Sequence, residues 1–302
     1  MIGFEEIRKR HRNAIPVQVR FIENKLVVIE DFHYNSLESF MLKRGDIISN
    51  IENKSVESIV DSLKKYYPAS NETTRLRDIS RDILWYDNIR QVISRPNNEE
   101  KSYALIDDNN IGYVNLKTIK NEDISVIKRE FINTKGIIID IRNGVSDVFL
   151  HPLISFFYLK DSPVVKYTKL NPNNPGEFNF TETYYWPKIG NSTYHGSLVV
   201  LVNEDVQSTY EYYTMAFQAG NNTTLIGSPT AGANGNVSEI VLPGGLKTKF
   251  SAIGIYYPDG RETQRLGIIP DIEVKQTIQG IREGRDELLE KAIEVIRQQN
   301  LN

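Results

Sequence analysis

GSLVVLVNEDVQSTYEYYTMAFQAG, residues 196 to 220, is the stretch on which the fold of this chain turns. Its first seven residues are a short apolar run with β-branched side chains, bounded by polar ones, which predicts a strand. Residues 209 to 219 contain neither Gly nor Pro, and helical spacing sets Tyr212, Met215, Ala216 and Ala219 on one face. A strand that runs straight into a helix predicts an α/β layer, and a small hydroxyl, Ser208, stands at the junction. That hydroxyl has two readings. An N-cap serine accepts a hydrogen bond from an early helical N–H. A serine on a sharp strand-to-helix turn instead presents its hydroxyl as a nucleophile, beside the donors of a helix N-terminus.

Working outward, the second half of the chain alternates strand and helix signals, which argues for parallel strands in an α/β layer. Residues 111 to 116 read as a strand, 122 to 133 as a helix, and Gly136-Ile137-Ile138-Ile139-Asp140-Ile141 as a strand buried on both faces. A sharp turn at residues 140 to 144 leads to a helix expected over 147 to 158. Residues 160 to 195, rich in Asn, Pro, Thr and Tyr, show no period and read as a long excursion of the kind that lines a site. Thr224 to Gly227, a Gly-rich turn, strands near 238 to 256 and a closing amphipathic helix at 284 to 298 complete this half.

The first half carries a hairpin over residues 16 to 30, turning at Glu23-Asn24, and a second β segment over 43 to 54. Helices are expected at 56 to 66 and 73 to 93. Pro96-Asn97-Asn98-Glu99-Glu100 reads as a linker, so the domain boundary is placed there. The chain shows no repeat, heptad or low-complexity tract.

At 302 residues the chain is long enough for two domains or one large one, and 40% hydrophobic content supports a real core. A formal net charge of −3, from 36 basic and 39 acidic side chains, gives no basic field for nucleic acid. With no cysteine, disulfides, thiolate zinc sites and a cysteine nucleophile are excluded. No stretch approaches the roughly 18 apolar residues of a membrane span, and residues 1 to 7 lack a signal-peptide core. If the natural protein is exported, its signal is expected outside this sequence.

Open α/β sheets bind ligands beyond the carboxyl ends of their strands. Three such ends stand out: Arg142-Asn143-Gly144, Gln207-Ser208-Thr209 and the run from Gly227 to Gly235. Acyl transfer needs a hydroxyl, two N–H donors for the oxyanion and a base. Ser208 would supply the hydroxyl, and the N–H groups of Thr209 and Gly144 the donors; taken separately, each glycine reads first as a turn residue with positive φ. The base has no clear candidate. Spacing ties none of His11, His33, His151 and His195 to Ser208, and no lysine lies between Gly220 and Leu246. No paired His, Asp and Glu spacing suggests a metal, and no cofactor is expected.

Taken together, five stretches carry a resemblance. They are Gly45-Asp46-Ile47-Ile48 with Ile51, Lys54 and Val56; Gly136 to Asn143; Leu201 to Glu211 around Gln207-Ser208; Ile226 to Gly235; and Gln264 to Asp271. In this order and spacing the chain resembles the S41 serine peptidases, the group of the tail-specific processing proteases and the tricorn core protease, and within it exported members of Bacteroides-type bacteria. The resemblance implies a mixed α/β fold, with a ClpP/crotonase-like catalytic domain over 97–302, a PDZ-like domain with a helical extension over 16–96, and at 1–15 the remnant of an upstream helical region. It implies Ser208 as nucleophile, Gly144 and Thr209 as oxyanion donors, and Gln264 where tricorn-type members hold an orienting glutamate. The lysine base of tail-specific members falls at Ala233, and the Asp-Gly-His-Thr motif of tricorn-type members does not occur. Gly144-Val145-Ser146-Asp147 also replaces a glycine-rich run. The resulting expectation is a serine endopeptidase for extended or C-terminal polypeptide segments, weak or inactive as given because its base is missing, and periplasmic, cell-envelope or extracellular in its natural setting. The competing expectations are a non-catalytic peptide- or glycan-binding module and, last, an acyl-coenzyme A enzyme on the same fold.

Overall fold

In the computed structural model, residues 13–14, 17–31, 42–86, 101–108 and 110–301 are described. His11, His33, the 96–100 linker and the end of the helix expected at 73 to 93 lie outside them. The chain forms two units, residues 1–99 with 276–287, and residues 100–275 with 288–302.

In the first unit, β1 (Asn13–Ala14), β2 (Val17–Ile22), β3 (Lys25–Asp31), β4 (Ile47–Ile48), β5 (Asn50–Ile51) and β6 (Lys54–Ser55) lead into α1 (Val56–Leu63), α2 (Glu72–Asp82) and β7 (Trp85–Tyr86). The expected hairpin is present: β2 pairs with β3, and Glu23 and Asn24 both take positive φ, as a tight two-residue hairpin turn demands. Helix α1 starts where the Ser55 side chain accepts from the Ser58 N–H. Helix α2 ends at Asp82, short of the expected span, because Trp85-Tyr86 pairs as a strand with Asn13-Ala14. Val19, Leu26, Val28, Val60 and Ile79 form the core of this unit.

The second unit contains β8 (Tyr103–Ile106), β9 (Ile111–Asn115), α3 (Asn121–Phe131), β10 (Gly136–Asp140), α4 (His151–Ser155), β11 (Ser162–Leu170), β12 (Phe178–Phe180), β13 (Tyr184–Trp186) and β14 (Ser197–Val202). It continues through α5 (Thr209–Gln218), β15 (Thr223–Gly227), β16 (Val237–Val241), β17 (Lys247–Ser251), β18 (Ile255–Tyr256) and β19 (Ile272–Glu273). Helix α6 (Ile278–Glu283) belongs to the first unit, packing Ile278 and Ile281 on Ile22 and Val27, and α7 (Glu287–Gln299) returns to the second.

The main sheet has the order β19-β15-β14-β10-β9-β8, parallel throughout except for the antiparallel edge β8. The continuous apolar runs are explained by burial of both faces. Ile137, Ile139, Leu198 and Val200 face α3 and α5, while Ile138, Val199 and Leu201 face α7, so successive side chains alternate between two cores.

Two expectations are corrected. The helix foreseen at 147 to 158 is only α4, because Pro152 in the first turn supports a start at His151 and no earlier. The excursion of 160 to 195 is not irregular: β11 pairs antiparallel with β12, β13 and β18. Much of this small sheet is exposed, including Phe178, Phe180 and Tyr185, so no buried stripe marks it in the sequence.

Candidate active site

Strands β10, β14 and β15 are neighbours in the sheet, and Asp140, Leu201 and Ile226 lie in one register across them. Their carboxyl ends therefore open side by side. The three strand ends singled out in the sequence meet at one edge.

Ser208 sits between β14 and α5 with φ +58° and ψ −120°, a backbone conformation that L residues seldom adopt. Its side chain makes no cap hydrogen bond. The position is that of an N-cap, set on a sharp strand-to-helix turn. The Ser208 N–H is engaged instead, donating to Glu211 Oε2 at 3.0 Å. Thr209 is exposed and opens the helix, so its N–H has no carbonyl of α5 to meet.

Glu211 is the residue that the sequence did not single out as a hub. It is completely buried, and four donors converge on its carboxylate. Oε1 accepts from the Thr230 hydroxyl at 2.6 Å and the Gly232 N–H at 2.8 Å, and Oε2 from Ser208 and from the Ala233 N–H at 3.1 Å. One side chain thus fastens the serine turn to the Gly-rich turn. Burial pushes its pKa up, and the four hydrogen bonds act against that shift. The Ser-x-x-Glu spacing is a capping-box signal visible in sequence; the partners at 230 to 233 are not.

The Gly-rich turn is itself clamped from behind. Gly232 takes φ +67°, and a Cβ there would lie 2.8 Å from the Arg265 carbonyl carbon, so backbone packs on backbone. Gln264 Nε2 donates to the carbonyls of Asn234 at 2.8 Å and Ile253 at 2.9 Å. This residue braces the end of the turn.

On the other side, Arg142 holds Asp140 through Nε at 3.0 Å and a terminal guanidinium nitrogen at 2.7 Å, and the Tyr113 hydroxyl donates to the same carboxylate at 2.8 Å. This lock fixes the strand end from which Gly144 turns with φ +95°. The Gly144 N–H donates to the Ile141 carbonyl at 3.1 Å, inside its own turn. A Cβ on Gly144 would stand 3.4 Å from the Tyr210 ring, which places this turn against the start of α5.

The histidines separate cleanly. His195 is exposed and precedes β14, whereas Ser208 follows it, so the six-residue strand lies between them, about 20 Å of extended chain. His151 is stacked between Phe149 at 4.5 Å and Trp186 at 4.2 Å, with its Nδ1 unpartnered among the described residues and its pKa lowered by burial. Among the described residues no group of three or more His, Asp or Glu is set to hold a metal ion. No helix among them is long and apolar enough to cross a membrane.

Residues 110–274 match the sequence profile of peptidase family S41. The fold is similar to a putative peptidase from Parabacteroides merdae, at 25% identity over 64% of this chain and 63% of that one, with a TM-score of 0.58. It is also similar to mature CPAF complexed with lactacystin, at 13% identity over 94% of this chain and 83% of that one, with a TM-score of 0.70. No curated protein matches the sequence.

Proposed function

The chain belongs to peptidase family S41, and we propose from this that it is a serine endopeptidase acting on extended or C-terminal polypeptide segments, with Ser208 as nucleophile. The observation that carries the proposal is the strained Ser208 backbone at the strand-to-helix turn, whose N–H is held by buried Glu211. Strain of this kind costs on the order of 1–3 kcal/mol and persists where surrounding contacts over-determine it. Four hydrogen bonds to one carboxylate supply that constraint.

In this reading the Ser208 Oγ attacks the scissile carbonyl, and the developing oxyanion is met by the Thr209 N–H and the Gly144 N–H. The second donor has first to leave the Ile141 carbonyl, so part of the hole forms on substrate binding. Gln264 steadies the Gly-rich turn, and as an amide it does not stabilise a cationic base. Neither His151 nor His195 is placed as base by its surroundings, and the Gly-rich turn carries no lysine. Turnover is accordingly proposed to be weak, on the order of 10⁴-fold or more below that of a serine with its full complement of partners. The second unit is proposed to be a ClpP/crotonase-like catalytic domain and the first a PDZ-like domain, with the protein working in the periplasm, cell envelope or extracellular space. The unplaced base also supports a second reading, a peptide- or glycan-binding module that keeps the fold without turnover.

A fluorophosphonate probe tests the proposal. Slow covalent labelling that disappears in Ser208→Ala is expected. Absence of labelling, or labelling that survives this substitution, overturns it, and peptide binding retained in Ser208→Ala without any turnover selects the second reading.

A further inference from the structure

Helix α3 and the start of α4 border an open hollow of about 520 Å³, lined by Asn121, Ile124, Ser125, Lys128, Phe149 and Pro152. Its size falls in the range of small-ligand sites. One wall is apolar and preformed. Phe149 is 59% exposed, yet its ring is not free to swing, since it stacks within 11° of parallel on His151, and His151 stacks in turn on the fully buried Trp186. Ile124 and Pro152 extend this surface. An exposed aromatic held rigid offers apolar contact at little entropic cost.

The opposite character comes from Lys128. Its ammonium lies 5.4 Å from the Phe156 ring centre and has no carboxylate partner among the described residues. Burial lowers its pKa, and the Lys188 ammonium is close enough for the two to repel. Among the described residues the Lys188 ammonium donates to the neutral carbonyls of Ser155 at 3.1 Å and Ser192 at 2.6 Å. Two partly desolvated cations without an anion form an incomplete arrangement, which a bound anion would complete. Asn121 Oδ1 is taken by the Phe149 N–H, leaving the Asn121 amide N–H groups to donate into the hollow, whereas the Ser125 hydroxyl has its proton on the Glu122 carbonyl.

We propose that this hollow binds an apolar carboxylate, with the carboxylate on Lys128 and the apolar group against Phe149 and Pro152. Both a polypeptide C-terminus ending in an apolar residue and a small aromatic acid have this chemistry. The proposal is independent of the peptidase reading, because none of the six lining residues belongs to the Ser208 site.

The test is calorimetric titration of the whole chain with a pentapeptide ending in phenylalanine, the same peptide as its C-terminal amide, and N-acetylphenylalanine. The acid peptide is expected to bind at least about tenfold more tightly than the amide, and Lys128→Met to weaken the acid by about the same factor. Phe149→Ala weakens both acids, while Ser208→Ala changes neither. Tighter binding of the peptide than of the small acid identifies a polypeptide end as the ligand, and equal binding a small acid. Lys128 makes no hydrogen bond that folding requires, so Lys128→Met is expected to keep its melting temperature. Equal affinity for acid and amide, no heat of binding with any of the three, or indifference to Lys128→Met overturns the proposal.

Discussion

At the scale of single residues, Glu211 is the most informative position in the molecule. A carboxylate with no exposed surface is costly unless it is fully hydrogen-bonded, and here four donors meet it. Three of them are backbone N–H groups, that of Gly232 buried and those of Ser208 and Ala233 partly buried. Replacing Glu211 by Ala leaves those donors unpaired, at roughly 1–3 kcal/mol for a fully buried one and less for those partly open to solvent. A total loss of about 3–5 kcal/mol is expected in urea unfolding. Glu211→Gln keeps the shape but turns an amide toward N–H donors, so a smaller loss of about 2 kcal/mol is expected. The decisive readout is chemical: fluorophosphonate labelling of Ser208 falls at least about tenfold in Glu211→Gln while the fold persists. Unchanged labelling there removes Glu211 as the residue that positions the serine. The sequence shows the Ser-x-x-Glu spacing, but Thr230, Gly232 and Ala233 are joined to Glu211 across 19 to 22 residues, a separation no local pattern reports.

At the scale of elements, legibility follows burial. Strands β10 and β14 are readable because both faces are covered and nearly every side chain is apolar. Helix α5 is readable because Met215 and Ala216 make a buried stripe. Strands β12 and β13 are three residues each and mostly exposed, so their pairing with β11 rests on partners that periodicity does not encode. The same small sheet supplies Trp186, which closes the stack over His151 at the head of α4. That stack has a pH consequence. Burial holds the His151 pKa below 6.5, so as pH falls the unfolded chain takes up this proton before the folded one does. Stability from this group is complete above about pH 6.5 and is lost as pH drops toward the folded value. His151→Phe keeps a flat ring in the stack and has no proton to bind. Melting curves from pH 8 to pH 5 are expected to show wild type losing ground against His151→Phe only below about pH 6.5. A difference between the two that stays flat with pH would contradict this assignment.

At the scale of the whole molecule, the chain order and the packing order diverge near the C-terminus. A linker signal is easy to see at residues 96 to 100, which lie outside the described residues, and the chain first passes from one unit to the other at residues 99 and 100. The second crossing has no such mark: residues 276–287 rejoin the first unit, where Arg282 Nε donates to the Gly45 carbonyl at 3.0 Å across 237 positions. Gly45 itself has φ +88°, so the contact is made by a backbone turn whose only sequence signal is Gly-Asp. Such long-range closure is set by tertiary packing alone. It makes a separable prediction for two isoleucines only 15 residues apart. Ile281 is 1% exposed and packs with Ile22 and Val27, whereas Ile296 is 1% exposed and packs with Ile138 and Val199. Truncation of either to Ala leaves a cavity worth about 2–4 kcal/mol. Amide exchange then reads where the loss falls. Ile281→Ala is expected to lower protection in β2 and β3 while β10 and β14 keep theirs, and Ile296→Ala to do the reverse. If Ile281→Ala exposes β14 and spares β3, the C-terminal segment is not part of the first unit's core.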